Sequence, residues 1–90
     1  MKKGLRLIVF GRVQGVGYRY FTSKWANRLG ICGWVRNLPD GSVEVVAEGE
    51  EEALHLFVER LREGPRFARV REVKEEWVPY QGMYSYFTIE

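Results

Sequence analysis

Between Gly11 and Arg19 the chain reads Gly-Arg-Val-Gln-Gly-Val-Gly-Tyr-Arg, with three glycines in residues 11–17. Glycines at 15 and 17 let successive main-chain N–H groups turn inward with no Cβ in the way. Placed before a helix, such a turn forms a concave set of donors backed by the positive end of the helix dipole, which suits a phosphate-like anion. Arg19, in the first helical turn, can fork two bonds onto phosphate oxygens. Each hydrogen bond to a charged group contributes about 1.5–3 kcal/mol, so a few hold a small anion. Two other phosphate loops do not fit. A Walker-type loop needs Lys-Ser/Thr after its last glycine, where Tyr18-Arg19 stand. A dinucleotide fingerprint needs a third glycine where Tyr20 stands. By itself the loop is equally compatible with a strand–helix turn whose glycines only permit tight packing.

The elements around the loop follow from periodicity and punctuation. Leu5 to Phe10 is a short, largely apolar run, readable as a strand buried on both faces. Tyr18, Phe21, Trp25 and Leu29 form one stripe of an amphipathic helix, and Gly30 with apolar Ile31 supplies its C-terminal closure. Ile31 to Asn37 and Ser42 to Glu48 read as strands joined by the tight turn Pro39-Asp40-Gly41. In the second of these, Val43, Val45 and Ala47 share one face, and Glu44 and Glu48 the other. Glu50-Glu51-Glu52 suits a helix start, Leu54, Phe57, Val58 and Leu61 give the inward stripe, and Gly64-Pro65 ends it. Arg69 to Val78 is a fourth strand, and Tyr84 to Ile89 a fifth at the edge or rim.

This order, β-α-β-β-α-β plus a terminal strand, predicts an α+β fold of the ferredoxin-like, split βαβ kind, with two helices on one face of an antiparallel sheet. Strands one and two, joined by a helix, end at the same edge. The glycine loop and Asn37 are therefore expected to be neighbours.

Ninety residues are expected to form a single domain over 1–90, with any site a shallow pocket at one edge of the fold. Cys32 is the only cysteine, which rules out an intramolecular disulfide or a cysteine zinc cluster. No stretch resembles a signal peptide or approaches transmembrane length, so the expected compartment is the cytoplasm and no membrane partner is implied. Residues 1–39 carry eight Lys/Arg and no acid, while residues 40–90 carry six Lys/Arg and all twelve acids, so the halves stand at +8 and −6. A basic half hints at an anionic partner, although strands from both halves can mix these charges in one sheet.

Taken together, Gly11–Arg19, then Gly33-Trp34-Val35-Arg36-Asn37, then Asp40-Gly41-Ser42-Val43-Glu44 closely resemble the acylphosphatase family. The likeness spans essentially the whole chain, including both helices, Gly64-Pro65 and Phe87-x-Ile89. Tyr18 stands where family members usually carry Phe, which keeps the ring. The resemblance implies hydrolysis of the carboxyl–phosphate bond of small acyl phosphates, without a metal or other cofactor. Carried over by position, it implies that Arg19 binds the phosphate together with Gln14, Gly15, Val16, Gly17 and Tyr18, and that Asn37 positions the attacking water. A monomer is expected.

The residue types are consistent with that chemistry. The loop has no carboxylate, His or Cys, so it offers neither a thiol nucleophile nor a general base. An acyl phosphate scarcely needs a base, because its carboxylate leaving group departs unprotonated. Positioning and charge stabilisation are what phosphoryl transfer chiefly asks of a protein. An amide such as Asn37 can accept from water and orient it.

Other residues have plainer readings. Asn37 alone would be a turn residue. Arg12 and Arg36 read as solvated charges, His55 as a surface residue of the second helix, Cys32 as a small strand residue, and Trp25 and Trp34 as core or near-core rings. An RNA-binding module of this topology would stack bases on aromatics of two central strands, yet the third strand has none, so no nucleic-acid partner is expected. A non-catalytic phosphate-binding or regulatory module is the competing class.

Overall fold

The structure is a computed structural model that describes residues Met1–Glu90 throughout. Its elements are β1 (Lys2–Arg12), α1 (Tyr18–Arg28), β2 (Cys32–Asn37), β3 (Val43–Glu50), α2 (Glu51–Glu63), β4 (Arg69–Val78) and β5 (Phe87–Ile89). They form one five-stranded sheet in the order β4-β1-β3-β2-β5. β1 and β2 both pair antiparallel with β3 and so run parallel to each other, with Val9 and Asn37 both opposite Val43. That register brings the end of β1 and the end of β2 to one rim.

The sheet is mixed rather than wholly antiparallel, because β5 joins the outer edge of β2 in parallel, with Gly33 opposite Phe87 and Val35 opposite Ile89. The strand is also shorter than the run Tyr84–Ile89 suggests. Its partner is set by which edge is open after β4 has paired with β1, and three residues carry no pattern that reveals it.

One face of the sheet builds the core with the helices. Leu5, Leu7 and Val9 of β1, Val35 of β2, and Val43, Val45 and Ala47 of β3 pack with Leu54, Phe57 and Leu61 of α2. β1 is therefore buried on one face only, with Arg6 exposed between Leu5 and Leu7, since the helices cover one side. In α1 the fully buried stripe is Tyr18, Thr22 and Ala26, not Tyr18-Phe21-Trp25-Leu29; the three larger side chains are only partly buried along its flank. Small residues let the helix axis approach the sheet, and the bulky ones pack beside it. The helix ends where the Ile31 N–H reaches back to the Ala26 carbonyl at 2.8 Å and the Gly30 N–H to Asn27.

On the opposite face Glu44 and Glu48 are buried. Glu44 lies between Arg6 Nε at 2.7 Å and Arg36 Nε at 2.8 Å. Burial alone would raise its carboxyl, but hydrogen bonds from Arg36 and Arg6 outweigh that and hold it below the ordinary glutamate range. Arg36 is thus ion-paired rather than simply solvated. Glu48 accepts the N–H groups of Gln81 and Met83 at 2.8 and 3.0 Å and ties the segment before β5 across this face. No helix is long and apolar enough to cross a membrane.

Candidate active site

The turn between β1 and α1 is held from below and from the side. Val13 is buried in the core and anchors the chain as it leaves the strand. Gln14 Nε2 donates to the carbonyls of Leu38 at 2.8 Å and Ser42 at 3.0 Å, which fastens the turn to the β2–β3 hairpin. That hairpin is closed by Asp40, which accepts from the Ser42 hydroxyl and the Ser42 N–H; these bonds hold its carboxyl below the usual aspartate range. One amide side chain thereby sets the distance between the glycine turn and the end of β2.

Gly15 and Gly17 take φ of 73° and 78°, and an added Cβ at either would meet nothing within 4 Å. Conformation, not crowding, calls for glycine here: the left-handed region costs other residues about 1–2 kcal/mol each. Gly17 is also the N-cap of α1, with no side-chain cap and no acid in the first turn. The first main-chain hydrogen bond of the helix is Phe21 N–H to Gly17 O, and no protein acceptor takes the N–H groups of Gly15, Val16, Gly17, Tyr18 or Arg19.

Tyr18 turns its ring into the core and donates its hydroxyl to the Leu61 carbonyl at 2.7 Å; burial pushes the phenol well above its usual range, so it stays neutral. Only its main chain faces the turn's concavity. Thr22, buried beneath, donates to the Tyr18 carbonyl at 2.9 Å and stiffens this first turn. Arg19 points to the rim, where its Nη1 donates to the main-chain oxygen of Glu90 at 2.8 Å. Asn37, last residue of β2, carries a buried Oδ1 that has no hydrogen-bond partner in the protein. A buried amide oxygen left this way costs on the order of 1–3 kcal/mol, which a bound donor would recover.

These groups line one open hollow of about 270 Å³, where Gly15, Gly17, Arg19 and Asn37 meet the side chains of Val13, Tyr20 and Ile89 and residue Tyr18. No carboxylate, imidazole or thiol lines it. Its donors are a guanidinium and main-chain amides, and its side-chain acceptor is the Asn37 carbonyl. Such a set can neutralise a tetrahedral oxyanion and orient a water, and it has no nucleophile or base of its own.

Of the residues singled out in the sequence, Arg19, Asn37, Gly15, Gly17 and Tyr18 meet at this hollow. Gln14 and Val16 do not line it: Gln14 spends its donors on the hairpin carbonyls, and Val16 borders a neighbouring depression. Tyr20 and Ile89 are additions. Phe87-x-Ile89 reads as a strand in the sequence, but only its parallel pairing with β2 carries Ile89 to the rim.

Fold and hollow define a small α+β protein in which a glycine-rich strand–helix turn with free main-chain N–H groups faces an amide. A family model described as Acylphosphatase matches residues 5–89, and the chain belongs to the acylphosphatase family. It is 54% identical over 79 residues to an acylphosphatase of Thermus thermophilus, covering 88% of this chain and 90% of the relative. It is 49% identical over 89 residues to one of Caldanaerobacter subterraneus subsp. tengcongensis, covering 99% of each. Among solved structures, the acylphosphatase from Bacillus subtilis superposes with a TM-score of 0.95 at 41% identity, covering 100% of this chain and 99% of that one. The chain is accordingly a hydrolase of a family whose function is the hydrolysis of acyl phosphates.

Proposed function

We propose that Arg19 and the main-chain N–H groups of residues 15–19 seat the phosphoryl group of a small acyl phosphate, and that Asn37 Oδ1 accepts a hydrogen bond from the water that attacks it. The water oxygen bonds to phosphorus as the carboxyl–phosphate bond breaks, and the bonding pair leaves with the carboxylate. The water's proton goes to a phosphate oxygen of the substrate itself, because no side chain in the hollow can take it. Charge on the transferring group spreads over oxygens that the guanidinium and amides already face, so little reorganisation is needed at the moment of reaction. A carboxylate leaving group needs no acid. No step calls for a metal ion.

The observation that carries this reading is the shared hollow: an arginine, a row of amides without acceptors, and a buried amide oxygen without a donor, all on one rim. The same reading takes the chain as a single domain over 1–90 that acts as a cytoplasmic monomer, with neither nucleic acid nor membrane as partner. The test is hydrolysis of benzoyl phosphate by the purified protein, with and without EDTA. Turnover that EDTA leaves unchanged is expected. A divalent-ion requirement would overturn the metal-free mechanism, and phosphate binding without any turnover would leave a phosphate-recognition module instead.

A further inference from the structure

Beside the hollow lies a second depression of about 450 Å³, lined by Arg12, Gly15, Val16, Arg66, Phe67 and Arg69. Arg12 and Arg69 stand directly opposite each other across the β1–β4 pair. Like charges so placed repel. Four arginines elsewhere are paired with acids, Arg6 and Arg36 with Glu44, Arg60 with Glu63 and Arg62 with Glu75, while Arg19, Arg28 and Arg71 stand apart from one another without one. Arg12, Arg66 and Arg69 have no such partner, all three are exposed, and no acid lines the depression. The fold thus gathers three uncompensated guanidinium groups around a concave space.

Gly15 borders both spaces. At this point the wall between them is a bare main chain with open space beside it, since a Cβ there would meet nothing. An anionic ligand with one phosphoryl group in the first hollow can therefore run over Gly15 and place further negative charge among the arginines. We infer that Arg12, Arg66 and Arg69 form a second anion subsite, which takes the distal phosphoryl groups of a ligand carrying several linked phosphates while its terminal phosphoryl group occupies the Arg19 turn. The inference rests on the assignment of the Arg19 turn as the phosphate seat, and gives that site a preference for condensed phosphates over a single phosphate ion. Guanidinium groups fork onto phosphate oxygens, so the gain is specific to phosphoryl groups and not only to net charge.

The test uses sodium tripolyphosphate and inorganic phosphate with EDTA present, measured by titration calorimetry and as inhibitors of benzoyl phosphate hydrolysis. Tripolyphosphate is expected to bind with one-to-one stoichiometry and at least about tenfold more tightly than phosphate. In the Arg66→Gln/Arg69→Gln double variant that advantage disappears, while the phosphate affinity and the benzoyl phosphate KM stay within about twofold. A Lys2→Gln/Lys3→Gln double variant removes the same charge at the far end of β1, about 30 Å away, and retains the advantage. Equal affinity for the two anions in the unmodified protein would overturn the inference. So would equal weakening in both double variants, which indicates only a diffuse field. A second equivalent of inorganic phosphate that vanishes in the Arg66/Arg69 variant assigns the arginines to a free ion and overturns the bridged ligand. If benzoyl phosphate is not hydrolysed but tripolyphosphate binds in the arginine-dependent way, the hydrolytic reading fails and the subsite stands.

Discussion

Helix α2 opens with Glu51 and Glu52 in its first turn and closes with Arg60 and Arg62 in its last, whereas α1 opens with no acid and carries Arg19 in its first turn. Each acid near a helix N-terminus stabilises it by about 0.3–1 kcal/mol, and a cation there works against the dipole. Neither helix has a side-chain cap. α2 nonetheless compensates its macrodipole at both ends. α1 leaves its amides unsatisfied behind a glycine N-cap and adds a positive charge to a positive pole. That end of the protein carries uncompensated positive charge, so the same feature that weakens α1 as a helix suits it to the phosphoryl seat proposed above.

The sharpest way to break this comparison is Arg19→Ala. Turnover of benzoyl phosphate is expected to fall by about 10³-fold or more, with loss of inhibition by inorganic phosphate. Thermal unfolding should show the variant within about 1 kcal/mol of the parent, because the exposed bond from Arg19 to Glu90 is lost while a dipole-opposing charge is removed and alanine is the better helix former. A large loss of stability would mean that Arg19 belongs to the scaffold. Arg19→Lys keeps the charge but loses the planar fork and should stay at least about 100-fold down. Asn37→Ala comes next. On the proposal that the amide orients water and does not hold the anion, kcat is expected to drop by about 100-fold while the inhibition constant of phosphate stays within about twofold. Loss of phosphate binding in a folded Asn37→Ala protein would make Asn37 a binding residue.

Gly17→Ala addresses the turn itself. The position sits at φ 78° with open space around it, so the added methyl clashes with nothing and reports only the left-handed conformation. A loss of about 1–2 kcal/mol in denaturant unfolding is expected. Phosphate affinity should weaken with it, if the turn relaxes and its amides swing out of register. Stability lost without any change in phosphate affinity would separate the strained turn from the anion seat.

Much of this arrangement was legible in the amino-acid order. The α2 stripe Leu54-Phe57-Val58-Leu61 stood out because acids precede it and Gly64-Pro65 follows it. The βαβ connection alone placed the glycine turn and Asn37 on one rim. What stayed hidden depends on contacts distant in sequence. Thr22 and Ala26 face the sheet in place of Phe21 and Trp25 because helix–sheet distance, not hydrophobicity, selects the residue at closest approach. Alternation put Glu44 and Glu48 on one strand face and said nothing of their burial, which for Glu44 depends on arginines contributed by two other strands. Gln14 resembled a phosphate ligand from its place in the turn, whereas both its donors are used by carbonyls more than twenty residues away. A side chain's hydrogen-bond partner is a property of the tertiary fold, and neither pattern nor propensity reports it.

The smallest expected effect completes the comparison from the other helix. Replacing Glu51 and Glu52 with glutamine removes the charges that satisfy the α2 N-terminus without changing side-chain size. Glu51 also lies 3.6 Å from His55 Nε2, an exposed contact of little consequence for stability. The double variant should lose about 0.3–1 kcal/mol per acid at low ionic strength. In a domain of this size that lowers Tm by about 4–8 °C for each kcal/mol. Added salt should shrink the difference, because exposed charges interacting with a dipole are screened. Meanwhile kcat and KM for benzoyl phosphate should not move. Together with Arg19→Ala, this gives a double dissociation: neutralising charge at the start of α2 lowers stability and spares turnover, and neutralising charge at the start of α1 spares stability and abolishes turnover. If the glutamine variant lost activity in step with its stability, the two helix starts would not be the independent devices their charge patterns describe.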